Sequence, residues 1–197
     1  MVPSVPLSFK NTHRSIKSAI SDQHHGKDER NGKSGTLGEK ENQGTMPKHV
    51  AITMDGSRRW AKKNGLTISE GQEAGCRRAL EMTMDFFSVG INTVSLFGFS
   101  TENWRRPEDE VNYLMNMYET FSRGDTHAPR YATVHNFKLS FIGNRENIPT
   151  SLRDVMLEAE EATKSYEGKH LIIAIDYSGR FDILRACKSL AEKAKTG

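Results

Sequence analysis

The sequence predicts an α/β fold with a parallel sheet flanked by helices, and three observations predict it. Between Met46 and Gly197, short apolar runs alternate with longer segments of helical period, four times over. Such alternation implies βαβ units, parallel pairing and right-handed crossovers. The overall hydrophobic fraction is 36%, below the roughly 45–50% of globular chains, but the deficit is concentrated in residues 1–45. No apolar run reaches the ~20 residues that a membrane span requires.

Residues 1–45 mix Ser, Lys, His, Gly, Asn and Glu without periodicity, so they cannot bury enough surface to offset ordering entropy. They are expected to be disordered. The first 21 residues carry Lys10, Arg14, Lys17, five serines and no acid. That composition fits either a plastid or mitochondrial transit peptide or a plain disordered tail. Residues 46–197 form the folded domain. His49–Met54 is a buried-type strand. Residues 69–88 form a helix with Ala74, Leu80, Met84 and Phe87 on one side. Ile91–Phe99 is the second strand. The helix after Pro107 spaces Val111, Leu114, Met115 and Tyr118 along one face. Arg123–Thr133, with Gly124 and Pro129, reads as the end of that helix and an irregular loop. Phe137–Ile142 is the third strand, and Pro149 opens a helix running to about Lys164. Leu171–Ile175 is the fourth strand, and a helix follows from about Phe181 to Ala194.

The net charge of +3 is too small to argue for nucleic acid. Anionic small molecules remain open, because they need only local positive charge. Cys76 and Cys187 lie in amphipathic helical patterns and are expected to be buried, reduced thiols. No Cys/His cluster has zinc spacing. His49 reads as structural, and His127, His135 and His170 as surface or loop histidines. No GxGxxG or GxxxxGK[ST] loop is present, which opposes an unrelated nucleotide-binding domain.

In an open parallel sheet, ligands sit outside the carboxyl ends of the strands. Two strand ends stand out. The first reads Met54-Asp55-Gly56-Ser57-Arg58-Arg59-Trp60. A glycine turn, two guanidiniums and one acid suit a diphosphate with Mg²⁺, since magnesium bridges a carboxylate and phosphate oxygens. An ordinary β–turn–helix with solvated arginines would look the same, and Trp60 could be a core anchor. The second reads Phe99-Ser100-Thr101-Glu102-Asn103-Trp104-Arg105-Arg106-Pro107. Helix capping would explain one of its polar residues but not the set, so a ligand site is favoured here.

Three motifs carry a resemblance. HVAITMDGSRRWAKKNGL, FGFSTENWRRP and IIAIDYSGRFDI are similar, in that order, to the signatures of the cis-prenyltransferases. That family includes undecaprenyl, dehydrodolichyl and short-chain plant prenyl diphosphate synthases. The likeness runs from about Met46 to Gly197. It implies that Asp55 ligates Mg²⁺ on an allylic diphosphate. Gly56, Ser57, Arg58, Arg59 and Trp60 would form the diphosphate loop. Ser100, Thr101, Glu102, Asn103, Trp104 and Arg106 would line the site, with Asn103 aiding proton removal. Isopentenyl diphosphate would attack the ionised allylic carbon, leaving a Z double bond.

The basic, Ser-rich start points to a plastid location, with the cytoplasm or the endoplasmic reticulum surface as the alternative. The resemblance implies a homodimer or hetero-oligomer with a related subunit, and peripheral membrane association. Several positions depart from the family pattern. Ser57 stands for the usual Asn, Ile68 and Gln72 for Arg and His, and Ser178 for Gly. The family pattern continues past Gly197 with a basic loop for isopentenyl diphosphate, a second acidic metal ligand and two more strands. The resemblance therefore implies a domain truncated at its C-terminus, with a non-catalytic partner subunit as the rival reading.

Overall fold

The computed structural model describes residues 46–123 and 127–196. The tail assignment for residues 1–45 lies outside the described residues. The four expected strands are β1 (His49–Thr53), β2 (Thr93–Ser100), β3 (Lys138–Ile142) and β4 (His170–Tyr177). They form one parallel sheet in the order β1-β2-β4-β3. The helices are α1 (Ser57–Lys63), α2 (Ile68–Ser88), α3 (Glu108–Ser122), α4 (His127–His135), α5 (Thr150–Thr163) and α6 (Gly179–Thr196), with a 3₁₀ turn at Thr101–Arg105.

Register explains the core. Val50, Val94, Leu171 and Leu139 fall in one row across the sheet, and Ile52, Leu96, Ile173 and Phe141 in the next. These rows face one side because side chains alternate along a strand. Against them pack Ala79, Leu80 and Phe87 of α2, Leu114, Met115 and Tyr118 of α3, and Leu152, Met156 and Ala159 of α5. The intervening row of Ala51, Ser95, Ile172 and Ser140 lies on the other face and is more exposed. β1 is therefore half-exposed along its length rather than buried throughout.

β3 is an edge strand whose outward N–H groups have no strand partner. Two side chains of α5 take them. The buried Thr163 hydroxyl accepts from the Leu139 amide at 3.1 Å, and Glu160 accepts from the Phe141 amide at 2.7 Å. Arg145 in turn donates to both oxygens of Glu160 at 2.8 and 2.9 Å.

Three further expectations are corrected. The segment read as an irregular loop contains α4, which buries Ala128 and Ala132. Pro129 sits in its first turn, where a helix needs no backbone N–H donor. Cys187 is exposed, unlike the half-buried Cys76. The apolar stripe of α6 faces outward, with Ile183 68% and Leu190 67% exposed. His170 opens β4 rather than a loop, and its ring bonds the Ser140 hydroxyl at 2.8 Å.

Candidate active site

The first strand end turns sharply into α1. Gly56 has φ of 91°, a conformation that strains any residue with a Cβ, and its N–H donates to the Asp55 carboxylate. α1 lies close on α2 because Gly71 and Gly75 present no side chains. A Cβ on Gly71 would stand 2.6 Å from the Ala61 Cβ, and one on Gly75 2.9 Å from the Ser57 hydroxyl. α2 itself starts with a reciprocal capping box between Thr67 and Glu70. These close contacts fix Ser57 and Arg58 beside Gln72.

A cavity of about 250 Å³ opens there. Asp55, Gly56, Ser57, Arg58, Arg59 and Arg106 line its mouth. Met54, Cys76, Leu114, Met117 and Tyr118 line its deeper wall. Six of the residues singled out by sequence are thus brought together. Asp55 and Arg59 are both more than four-fifths exposed and face each other at 3.5 Å. Behind the mouth, the mostly buried Glu110 pairs with Arg58 and with Arg106, the latter at 2.9 Å. Burial pushes the Glu110 carboxyl upward, but the hydrogen bonds and charges of Arg58 and Arg106 outweigh it and hold the group below the usual carboxylate range. Gln72 donates to the same carboxylate at 3.3 Å and leaves its own Oε1 buried without a partner.

The other candidates lie off this cavity wall: Trp60 in α1, and the rest at the second strand end. β2 carries register shifts between Phe97 and Ser100, which send Phe99 into the core and leave Ser100 as a cap. Asn103 accepts from the Ser100 amide at 3.0 Å, and the two residues form a reciprocal box around the 3₁₀ turn. Trp104 packs edge-on against Phe99, with centroids 5.0 Å apart, and its indole N–H donates to Asp176 at 2.7 Å. Thr101 is half-buried and Glu102 exposed. Trp60 is 48% exposed and so is not a core anchor.

Behind the charged mouth lies a small apolar pocket walled by Ala79, Leu80, Leu96, Phe121 and Phe141, which shares Met54, Cys76 and Tyr118 with the cavity. Tyr118 donates its hydroxyl to the Gly98 carbonyl at 2.8 Å, so this polar group enters the apolar wall already satisfied. Burial pushes its phenol pKa up, and pushes the Cys76 thiol up to about 12. Both stay neutral at the junction of the two spaces.

Residues 53–197 match the family model described as "Putative undecaprenyl diphosphate synthase". The chain belongs to that family. Among curated relatives, dehydrodolichyl diphosphate synthase 4 of Arabidopsis thaliana is 51% identical over 152 residues, covering 77% of this chain and 52% of the relative. A chloroplastic (2Z,6Z)-farnesyl diphosphate synthase of Solanum lycopersicum is 40% identical over 152 residues, covering 77% of this chain and 51% of the relative. The chain thus spans about half the length of the curated relatives it matches. Among solved structures, lavandulyl diphosphate synthase from Lavandula x intermedia in complex with dimethylallyl diphosphate aligns with a TM-score of 0.73 and 32% identity, covering 76% of this chain and 63% of that one. A "probable undecaprenyl diphosphate synthase" from Campylobacter jejuni aligns at 0.55 and 29% identity, covering 75% and 62%. The cis-prenyltransferase resemblance and the parallel four-stranded fold both stand.

Reading the sequence did not single out Glu110, Asp176 or Asn147. The first was within reach, since Glu110 lies in the first turn of the helix that follows Arg106-Pro107, an acid close in sequence to a site arginine. The pairing of Asp176 with Trp104, 72 positions away, leaves no such trace.

Proposed function

We propose that this chain carries out cis-prenyl transfer, condensing isopentenyl diphosphate with an allylic diphosphate to give a Z-prenyl diphosphate. The observation that carries the reading is the continuity of the charged mouth with the apolar pocket through Met54, Cys76 and Tyr118. A diphosphate with a short hydrocarbon tail is amphipathic in the same sense. The lavender relative, bound to dimethylallyl diphosphate, supports the assignment.

On this reading, Arg58, Arg59 and Arg106 bind the allylic diphosphate, and their fixed positive charge stabilises it as it departs. The apolar wall holds the tail away from water. The family resemblance gives Asn103 a part in removing the proton from the added five-carbon unit as the Z double bond forms, although in this fold its side chain caps the 101–105 turn with Ser100, off the cavity wall. Among the described residues no group of three or more His, Cys, Asp or Glu could hold a metal. The single exposed carboxylate of Asp55 fits magnesium held jointly with phosphate oxygens, the usual habit of that ion. Such an ion would neutralise charge on the leaving diphosphate. A plastid location is proposed from the chloroplastic relatives.

The test is calorimetry with dimethylallyl diphosphate. Binding is expected to be tighter with Mg²⁺ than with EDTA, and Asp55→Ala to abolish that difference. Equal metal dependence in the variant would remove Asp55 from the site, and no binding by the wild type would remove the function.

A further inference from the structure

Asp176 has the features of a group retained for something other than stability. It is the penultimate residue of β4, with φ of 51°, and is 1% exposed. No ion pair to Lys or Arg reaches it among the described residues. Burying an acid without a counter-cation is costly, and an apolar residue of similar volume would often be as stable. Its value lies in what it accepts. One oxygen takes the Trp104 indole N–H at 2.7 Å, and the other takes the Asn147 amide at 3.0 Å. Its backbone carbonyl takes the Asn144 N–H at 3.0 Å. The donors come from two separate segments, the 3₁₀ turn after β2 and the loop between β3 and α5.

The close approach of that loop is built in. A Cβ on Gly143 would lie 1.9 Å from the Ile175 carbonyl oxygen, so only glycine lets the loop cross the end of β4. The loop therefore lies against Asp176, and Asp176 holds the turn. Trp104 is two residues from Arg106, which lines the cavity and pairs with Glu110 at 2.9 Å. The turn's ties to the sheet run through Trp104. Asn103 and Ser100 cap it from within, while Trp104 connects it to the sheet through Phe99 and Asp176.

We infer that Asp176 is a positioning residue that holds the 101–105 turn, and with it Arg106, in place at the mouth of the cavity. It touches no substrate on this reading. The inference rests on the diphosphate assignment only for its effect on binding, not for its effect on the turn.

Asp176→Asn is the informative change, because it keeps the shape and the tolerance of positive φ but leaves one acceptor where there were two. In the ligand-free protein, the Trp104 indole N–H and the Arg106 Nε–H resonances should both move, and the indole proton should exchange faster. Inorganic pyrophosphate should bind about tenfold more weakly, the loss of roughly one well-aligned charge-assisted contact. Arg106→Ala should weaken it as well, and the double variant should be no weaker than Arg106→Ala alone, because Asp176 acts through Arg106. A general loss of stability would instead add. Trp104→Phe removes the donor from the opposite side while keeping a ring against Phe99, and it should reproduce the Arg106 shift should Asp176→Asn fail to fold. Unmoved Arg106 resonances in both variants, or additive losses of affinity, would overturn the inference. If the resonances move but the wild type does not bind pyrophosphate, the positioning role stands and the diphosphate reading fails.

Discussion

Glu110 offers the sharpest test of the electrostatics, because stability and affinity should move in opposite directions. Its carboxylate, 11% exposed, pairs with Arg58 and Arg106, whose side chains are 52% and 36% exposed. Solvent screening limits each pair to about 0.5–1 kcal/mol. Glu110→Gln should therefore destabilise the fold by about 1–2 kcal/mol, read by urea denaturation. Both arginines also line the cavity, so a bound diphosphate must compete with Glu110 for them. Removing the competitor returns about the same free energy to the ligand, and pyrophosphate should bind about 5–30-fold more tightly by calorimetry near physiological salt. Acid provides an internal check. The folded-state carboxyl is held below its ordinary value, so its contribution is complete above the unfolded pKa of about 4.3 and is lost as pH falls through the folded one. The stability gap between wild type and variant should close over that window. Weaker pyrophosphate binding by the variant would refute the competition argument and show that Glu110 shapes the arginines rather than occupying them.

Two further outcomes follow from the geometry. Gly143→Ala would force a Cβ onto the Ile175 carbonyl at φ of 128°, and thermal or urea unfolding should show a loss of about 3 kcal/mol or more. A loss below about 1 kcal/mol would contradict the close crossing. A thiol reagent near pH 8 should label the exposed Cys187 readily but Cys76 only on unfolding, because burial holds the Cys76 thiol at about 12 and the thiolate is the reactive form. Equal labelling rates would show that the cavity wall opens.

The strands and most helices were legible because their burial is periodic and local. Val94 and Leu96 announce a strand, and Val111, Leu114, Met115 and Tyr118 announce a helix face, before any partner is known. α4 escaped because Gly124 and Pro129 were read as breakers, although a proline costs nothing in a first helical turn. Cys187 was misread because an amphipathic stripe shows that one face is apolar and not what lies against it. At the site, the chemistry-bearing residues after β1 were legible from their position at a strand end. The division of labour was not. Sequence placed Arg58, Arg59, Arg106, Ser100, Asn103 and Trp104 in one set, and only the fold separates those on the cavity wall from those that lock the adjacent turn. Asp176 meets Trp104 through strand order β2-β4, which no local pattern encodes.

The side-chain cover on β3 has a consequence for self-association. An open strand edge is a template on which another chain can lay down hydrogen bonds, and growth of that kind underlies fibrillar aggregates. At this edge the outward amides of Leu139 and Phe141 are already engaged by Thr163 and Glu160, with Arg145 clamped across Glu160. An incoming strand would have to evict a buried hydroxyl and a carboxylate held by one Arg145 nitrogen through both its oxygens before making its first bond. The β3 margin of the sheet is closed to templated growth by chemistry belonging to a neighbouring helix, and its resistance to misassembly is inseparable from the docking of α5.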